Sequence, residues 1–367
     1  MTGHDLTQAA FAPPPLQPLA PDSLTVPRLT ELGERISRRT WQHGLAAWFW
    51  GEGVCLLGLT RLAHALGRDF PADVRAWLDR QIGAGVTIEH VNNVAPGTVA
   101  ILAREGESRA YLEVAEELYG WLCSHATRDD NTGALEHWPD AVWADTTFMA
   151  GVFLAHLGSA TGRADLLDEC GEQLLAHARV LQDPGSGLFV HGSHRGVSVP
   201  CFWGRGNAWC ALAAVEFLEQ SAATGLASPQ LVERVGDVLS RQLHTLAELQ
   251  PEHGVWSVLV DDQPENAGII EASAAAGIGA AMLRVQALDL PWAPDVAEAG
   301  WRAVRGTLAY VDDDGTLTRV SAGTVLQLVP FGYSVIRDDR IQPWGQGLAL
   351  HAVAAALDAI ARHEEPR

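Results

Sequence analysis

Two kinds of helical segment alternate along the chain, and they differ in how their apolar residues are distributed. The first kind is rich in Gly and Ala and is apolar on nearly every side, which is typical of a helix buried on every side. Six segments are of this kind: 44–66, 94–105, 145–160, 206–220, 270–288 and 344–361. The second kind is amphipathic, with apolar residues spaced i, i+3, i+4 and charged residues between them. Six segments follow this pattern: 26–40, 72–82, 108–127, 164–181, 228–248 and 294–309.

The alternation predicts an all-α fold. Because each pair of segments leaves a large apolar surface uncovered, the pairs must stack around a common axis. Closing six such helical hairpins gives an (α/α)6 barrel, with the apolar helices inside and the amphipathic helices outside. The segment 26–40 would complete the ring against the last inner helix. We therefore predict a single barrel domain over residues 25–367, preceded by an extended N-terminal arm over residues 1–24.

A second repeat places short β-like runs before several inner helices. Each run begins with a glycine that follows an outer segment, at Gly133, Gly187, Gly254 and Gly315. Since all four runs come just before an inner helix, they would form short β-hairpins on one rim of the barrel. Loops on a rigid scaffold are the usual place for a functional site, so we expect the site on this rim.

The composition narrows the class of ligand. The formal net charge is −20, which disfavours nucleic acid and an anionic membrane, because both bind basic surfaces. A small anionic ligand is compatible with this charge if local Arg or His residues override it. The chain has 13 Trp beside 4 Tyr and 9 Phe, and tryptophan suits a pocket that stacks on the flat faces of sugar rings.

The cysteines and the N-terminal sequence bear on the compartment. There are 5 Cys, an odd number without a CxxC pair, so we expect buried, reduced thiols rather than disulfides or a zinc site. The first 24 residues lack the basic start and apolar run of a secretion signal, and no apolar stretch is long enough to cross a bilayer. We predict a cytoplasmic protein without a cofactor or a catalytic metal.

Asp145 is the first candidate for a catalytic group. Its position at the start of an inner helix also suits an N-cap, whose carboxylate accepts hydrogen bonds from free N–H groups. The two roles conflict, because a helix N-terminus lowers the pKa of a carboxyl group, whereas a general acid near neutral pH needs a raised pKa. For Asp145 to act as an acid, burial beside Trp143, Phe148 and Met149 must outweigh the helix.

Arg205, His137 and His191 are candidates for binding groups. Arg205 lies between two glycines, and it either packs on Trp203 at the surface or binds a ligand carboxylate through its planar guanidinium. His137 and His191 each follow a β-like run, and a lone histidine is more often structural than a ligand. There is no HExxH or comparable cluster, so a metal centre is not expected.

Two motifs on this rim resemble those of a known enzyme family. They are Trp143-Ala-Asp-Thr-Thr-Phe-Met-Ala-Gly151 and Phe202-Trp-Gly-Arg-Gly-Asn-Ala-Trp209, with Val190-His-Gly192 between them. All three are similar to sequences of the unsaturated glycuronyl hydrolases, glycoside hydrolase family 105 with its relative family 88. The likeness extends from about Trp41 to Leu357 and is specific at these motifs.

The resemblance implies an (α/α)6-barrel enzyme that removes a 4,5-unsaturated uronic acid from the non-reducing end of short anionic oligosaccharides made by lyases. In that family an aspartate protonates the C4=C5 enol-ether double bond, water adds at C5, and the resulting hemiketal opens and expels the sugar. Asp145 matches this aspartate. The predicted substrate-binding residues are Trp50, Asn92, Asn93, His137, Trp138, His191, Trp203, Arg205 and Trp209.

One position departs from the family pattern. The family usually has a second aspartate just before an inner helix, whereas this chain reads His90-Val-Asn-Asn-Val94, so that Asn92 takes its place. Asparagine keeps the hydrogen bonding but removes a charge. The like-charge effect that would raise the pKa of the acid is therefore lost.

Three alternatives stay open at this point. An inverting glycosidase would need a second carboxylate roughly 6.5–9.5 Å from the acid, and the candidates are Glu52, Glu136, Asp140 and Glu271. A sugar epimerase would need two facing histidines on inner helices, which the sequence does not clearly provide. A sugar-binding protein without catalytic activity is the third, which the change at Asn92 would favour.

Overall fold

The computed structural model describes residues 12–103 and 109–364. In chain order its helices are α1 (Val26–His43), α2 (Trp50–Ala65), α3 (Ala72–Ala84), α4 (Ala95–Ala103), α5 (Arg109–Ser124), α6 (Ala144–Met149), α7 (Gly151–Thr161), α8 (Ala164–Leu181), α9 (Gly204–Thr224), α10 (Pro229–Glu248), α11 (Ala272–Arg284), α12 (Ala297–Leu308), α13 (Pro330–Ser334) and α14 (Pro343–Glu364). Residues 1–11 of the predicted arm and positions 104–108, where two predicted helices meet, lie outside this range.

The helices form two concentric rings. The inner ring consists of α2, α4, the broken helix α6–α7, α9, α11 and α14, and the outer ring of α1, α3, α5, α8, α10 and α12. Helix α11 is buried along its whole length, whereas α1 buries only one face, with Leu29, Leu32 and Ile36. The prediction of an (α/α)6 barrel is confirmed. No helix in the described ranges has the length and apolarity needed to span a membrane.

Close glycine contacts close the ring between the first and last inner helices. A Cβ atom on Gly58 of α2 would collide with the backbone of Gly347 on α14, so both positions need glycine for the helices to approach this closely. Helix α1 packs over this seam, where Gly33 faces Leu62 and Val353.

Residues 12–20 precede a 3-10 turn at Pro21–Ser23 and contact the end of α12, where Leu19 N–H donates to Arg305 O at 3.2 Å. The arm boundary at residue 24 remains a prediction.

The four repeated glycines have a structural cause. Gly133, Gly187, Gly254 and Gly315 have φ of 74°, 76°, 83° and 91°, in the region that favours glycine. Three of them also touch outer-helix backbone: a Cβ atom would meet the main chain of Arg241 at Gly187, of Arg302 at Gly254 and of Arg35 at Gly315. This explains why the glycines recur at the same place in successive hairpins.

The β-structure on the rim is smaller than the four runs predict. The four runs contribute isolated bridges, one or two each. The sheet has three antiparallel strands in the order β1 (Ala141–Trp143), β2 (Gly192–His194) and β3 (Val197–Ser198). Val142 pairs with Ser193 in its register. The strands β2 and β3 form a hairpin, and the sheet brings the residues before α6 beside the loop before α9.

An ionic cluster fills the interior farther down the barrel. Glu216 of α9 is fully buried, and its carboxylate accepts hydrogen bonds from Arg61, from Arg284 Nη2 at 2.8 Å and from His156 Nε2 at 2.9 Å. Glu216 comes twelve residues after the start of α9, which places it about 18 Å from the rim at 1.5 Å per residue. His351 of α14 is buried near these arginines, and neither ring nitrogen has a hydrogen-bond partner within residues 12–103 and 109–364.

Candidate active site

All six inner helices begin at the same rim, because each is reached from an outer helix that runs in the opposite direction. Their first residues therefore surround the barrel axis at that end. One residue at each of these helix starts carries a polar or aromatic side chain into the site region: Trp50 (α2), Asn92 (before α4), Asp145 (α6), Arg205 (α9), Glu271 (before α11) and Trp344 (α14). The fold thus assembles residues that are up to 294 positions apart in the chain.

Asp145 lies in the first turn of α6 and is 8% exposed. The N-cap position is Trp143, and no side chain caps this helix, so the alternative of an N-cap carboxylate is wrong. Asp145 Oδ2 faces His191 Nε2 at 3.4 Å without the alignment of a hydrogen bond, and neither atom has a hydrogen-bond partner among the described residues. The carboxylate is buried, but its Oδ2 atom accepts no backbone hydrogen bond within the described residues.

Burial is the largest influence on the Asp145 carboxyl group, and it raises the pKa. His191, His137 and Arg205 act in the opposite direction, and together they lower the pKa below its usual value of 3.8. The condition set for Asp145 to act as an acid, that burial outweigh the other influences on its pKa, is therefore not met in the protein alone. Near neutral pH the carboxyl group is ionised until another negative charge enters the site.

His191 is fully buried between the strand β2 and the aromatic side chains around it. Its ring centroid lies 4.3 Å from that of Trp203 and 5.2 Å from that of Trp143. Its Nδ1 atom is 2.7 Å from the hydroxyl of Tyr333, while Nε2 is directed at Asp145. The ring is thus fixed on both edges.

His137 is held as a neutral ring on the other side of Trp143. Its Nδ1 atom lies 3.0 Å from Thr146 Oγ1, and its Nε2 atom lies 3.4 Å from the amide nitrogen of Asn92. Because an amide nitrogen only donates, Nε2 is the acceptor and Nδ1 carries the proton. Burial lowers the pKa of His137 to about 3, and Trp143 stacks on the ring at 4.6 Å.

Asn93 and Trp138 have different surroundings. The Asn93 side chain accepts the N–H groups of Glu89 and His90 at 3.1 and 3.0 Å and donates to Trp48 O at 3.0 Å. These contacts use the amide to build its own loop, so the prediction that Asn93 binds substrate is not supported. Trp138 is 51% exposed, and its ring lies 4.2 Å from that of His90, at the mouth of the site.

Arg205 is fully buried, which rules out the surface arginine considered from the sequence. Its guanidinium lies 4.5 Å from the Trp203 ring and 3.4 Å from Glu271. Both terminal nitrogens already donate to Ser321, Ala322 and Thr324 at 2.8–3.1 Å. The Nε atom of Arg205 lacks a hydrogen-bond partner in the described part of the chain. The predicted bidentate grip on a ligand carboxylate is therefore not available in this geometry.

Three tryptophans pack against one another at this rim. Trp50 stacks on Trp344 with ring centroids 4.4 Å apart and meets Trp209 edge to face at 6.4 Å. Phe148, one turn along α6 from Asp145, lies 5.0 Å from Trp209. The structure therefore brings Trp50 and Trp209 together as predicted and adds Trp344 to them.

Several buried N–H groups around Asp145 have no hydrogen-bond acceptor among the described residues. They are Nε1 of Trp143, Trp203 and Trp209, Nε of Arg205 and Nε2 of His90. An unpartnered buried donor costs free energy. A ligand rich in acceptor oxygens would provide the missing partners.

The candidates for a second catalytic carboxylate are engaged elsewhere. Glu271 is fully buried and accepts hydrogen bonds from Ser273 and Ser321 besides its pairing with Arg205. Glu52 accepts the N–H of Ala47 at 3.1 Å, and exposed Asp140 lies 3.4 Å from Arg195. Glu136 lines an outer cleft of about 600 Å³ together with Asp140 and Arg195. This geometry gives no support to an inverting pair.

A family model described as Glycosyl Hydrolase Family 88 matches residues 32–359. The chain belongs to glycosyl hydrolase family 88. It is 32% identical over 343 residues to the unsaturated rhamnogalacturonyl hydrolase YesR of Bacillus subtilis, covering 90% of this chain and 95% of that protein. It is also 28% identical over 227 residues to an unsaturated 3S-rhamnoglycuronyl hydrolase of an Alteromonas species, covering 59% of this chain and 51% of that protein.

Solved structures agree with this assignment. A possible family 105 member from Salmonella enterica superposes with a TM-score of 0.81 at 25% identity, covering 92% of this chain and 96% of that one. The resemblance to families 105 and 88 is confirmed, and the family 88 protein is a glycoside hydrolase. The alternative of a sugar-binding protein without catalytic activity falls with this assignment.

Sequence reasoning missed several residues of the family 88 site. Tyr333 and Trp344 lie in or after the irregular segment between α12 and α14, which has no periodic pattern. Trp143 was considered only for burial, yet it packs against both His137 and His191. Within the described residues no group of three or more His, Cys, Asp or Glu side chains is arranged to hold a metal ion.

Proposed function

We propose that this glycoside hydrolase removes a 4,5-unsaturated uronic acid from the non-reducing end of short oligosaccharides produced by polysaccharide lyases. The observation that carries the proposal is the set of buried N–H donors without hydrogen-bond acceptors on the rim that holds the buried Asp145 carboxylate. A uronate offers a carboxylate and hydroxyl oxygens to these donors, and its ring faces suit the aromatic walls. The names of the two relatives with unsaturated substrates support the same substrate class.

In the proposed reaction Asp145 is the general acid. Its proton goes to C4 of the substrate, and the electron pair of the C4=C5 double bond forms the new C4–H bond. Water then adds to C5 and returns a proton to the Asp145 carboxylate. The product is a hemiketal at C5, which opens to a ketone and releases the leaving sugar from C1. One water molecule is consumed, and the carboxyl group is regenerated.

The protonated acid is supplied when substrate binds. In the protein alone, neighbouring positive groups lower the pKa of Asp145. A uronate carboxylate adds a negative charge beside it and displaces water, and both changes raise the pKa of a neighbouring carboxyl group. We therefore expect proton uptake to accompany binding of an unsaturated uronide.

The remaining residues bind and orient the substrate in this proposal. Trp50 and Trp209 form an apolar wall, Trp138 lies at the mouth, and the N–H groups of Trp203 and Arg205 meet substrate oxygens. His191 faces the acid, while His137 and Asn92 complete the opposite side. The short aromatic site suits a di- or trisaccharide.

All five cysteines are free, four of them buried, which supports our proposal of a reducing compartment such as the cytoplasm.

A panel of lyase-generated disaccharides tests the proposal. It should span rhamnogalacturonan, ulvan, gellan and glycosaminoglycan products, and the loss of the ultraviolet absorbance of the C4=C5 double bond reports turnover. Saturated disaccharides of the same composition are the matched controls, analysed by chromatography. We expect consumption of at least one unsaturated substrate and of no saturated control. Cleavage of the saturated controls would contradict the proposed chemistry and indicate ordinary glycoside hydrolysis.

A further inference from the structure

One rim segment, residues 321–333 between α12 and α14, supports two of the side chains nearest Asp145. Ser321, Ala322 and Thr324 accept hydrogen bonds from the terminal nitrogens of Arg205. At the other end of the segment, Tyr333 contacts Nδ1 of His191 at 2.7 Å. The segment therefore has a role in the site although it carries none of the residues proposed to react.

Two contacts define the surroundings of the Tyr333 hydroxyl group. The side chain is fully buried, and its oxygen accepts the backbone N–H of Gln327 at 3.5 Å. Burial raises the pKa of Tyr333 far above its usual range, so the hydroxyl keeps its proton. His191 Nδ1 lies 2.7 Å from the hydroxyl oxygen, in position to accept that proton, since the Gln327 N–H already occupies an acceptor site of the oxygen. In a neutral imidazole with an acceptor at Nδ1, the proton is on Nε2.

We propose that Tyr333 is a positioning residue for the reaction, which fixes the tautomer of His191 so that Nε2–H faces Asp145 and the reacting end of the substrate. Its catalytic consequence rests on the function proposed above. The Nε2 atom lies 3.4 Å from Asp145 Oδ2. With the proton there, His191 offers a donor to the carboxylate and to the incoming uronate. The opposite tautomer would place a nitrogen lone pair against the carboxylate oxygen, and the contact would be repulsive.

Two groups act on the tautomer of His191, Tyr333 at Nδ1 and the Asp145 carboxylate at Nε2. His191 is held between Trp203 and Trp143, which fix its plane but donate nothing to its nitrogens. Both tryptophan Nε1 atoms lack hydrogen-bond partners in the described residues. Removing the tyrosine hydroxyl therefore takes away the donor to Nδ1 and leaves the 3.4 Å contact with Asp145 to bias the tautomer, while the ring stays packed.

The test compares Tyr333→Phe with Tyr310→Phe. Tyr310 is the matched control because it is also buried, and its hydroxyl accepts the N–H of Leu16 at 2.7 Å, away from His191. We expect Tyr333→Phe to lower kcat on an unsaturated disaccharide by on the order of 100-fold, within the range for misaligned acid–base groups, with KM changed less than about threefold. Tyr310→Phe should keep kcat near the wild-type value.

A spectroscopic signature separates positioning from a merely structural role. In protein labelled with ¹⁵N-histidine, His191 is assigned by its loss in His191→Gln. We expect an unprotonated Nδ1 and a protonated Nε2 in the wild type, and a mixture of tautomers in Tyr333→Phe. A proton on Nδ1 in the wild type would overturn the proposal, as would an unchanged tautomer in Tyr333→Phe. Because this readout needs no turnover, it decides the proposal even if no unsaturated uronide is consumed, an outcome that would count against the proposed function alone.

Discussion

Replacing Asn92 with Asp tests how the pocket sets the charge of His137. The Asn92 amide nitrogen donates to His137 Nε2 at 3.4 Å, and the ring is neutral because burial lowers its pKa to about 3. A carboxylate at the same place accepts hydrogen bonds, so Nε2 would have to donate a proton to it instead of accepting one. Two unit charges 3.4 Å apart attract by about 5 kcal/mol at an effective dielectric constant of about 20. That energy corresponds to about 3.5 pH units in the titration midpoint of His137.

The assay is the ¹⁵N spectrum of histidine-labelled protein between pH 5 and 8. His137 is assigned by its loss in His137→Gln. We expect no titration of His137 in the wild type over this range. In Asn92→Asp the ring should titrate within it, with the protonated form dominant at the acidic end.

Asn131→Asp is the matched control, because it adds the same charge at an exposed loop position outside the site. Its His137 resonances should match those of the wild type. If His137 stays neutral in Asn92→Asp down to pH 5, the new carboxyl group has remained protonated and the electrostatic account of this pair is wrong.

Three further changes have defined outcomes. Glu216→Gln leaves Arg61 and Arg284 short of a buried counter-charge, so we expect a loss of about 3–5 kcal/mol in unfolding free energy, measured by urea denaturation against an exposed Glu→Gln control. Burial, reinforced by Arg61 and Arg284, lowers the pKa of His351 well below 6.5. The contribution of neutral His351 to the free energy of unfolding is therefore complete above pH 6.5. It is lost as the pH falls, by up to about 1.4 kcal/mol per pH unit. His351→Leu should therefore flatten the acid side of a stability–pH curve. Trp138→Ala should raise KM by about 2- to 10-fold with little change in kcat, as expected for lost stacking at the mouth.

The barrel could be predicted from the sequence because its signal is local. A helix such as α11 that is buried on every side is apolar on every side, and its alternation with amphipathic helices admits few architectures. The place of the site followed from the same pattern, since residues before inner helices meet at one rim. Asp145 and His191 were found by their resemblance to family motifs rather than by periodicity.

The support around the site could not be predicted in this way. Arg205 meets Ser321 across 116 positions, and His191 meets Tyr333 across 142, through a segment without helical or strand periodicity. The ionisation of Asp145 depends on three groups from three different elements, whose distances only the fold defines. For the same reason the sequence could not show that the terminal nitrogens of Arg205 donate to Ser321, Ala322 and Thr324, and its carboxylate-binding role stays a prediction that this geometry does not favour.

The most direct test of the central claim is the turnover of an unsaturated disaccharide by Asp145→Asn. The control is Asp140→Asn, an exposed aspartate on the same rim. We predict that Asp145→Asn lowers kcat by at least about 100- to 10,000-fold, while calorimetry still detects disaccharide binding and the thermal transition is retained. Asp140→Asn should turn over like the wild type. Wild-type turnover by a folded Asp145→Asn variant would contradict the assignment of Asp145 as the proton donor.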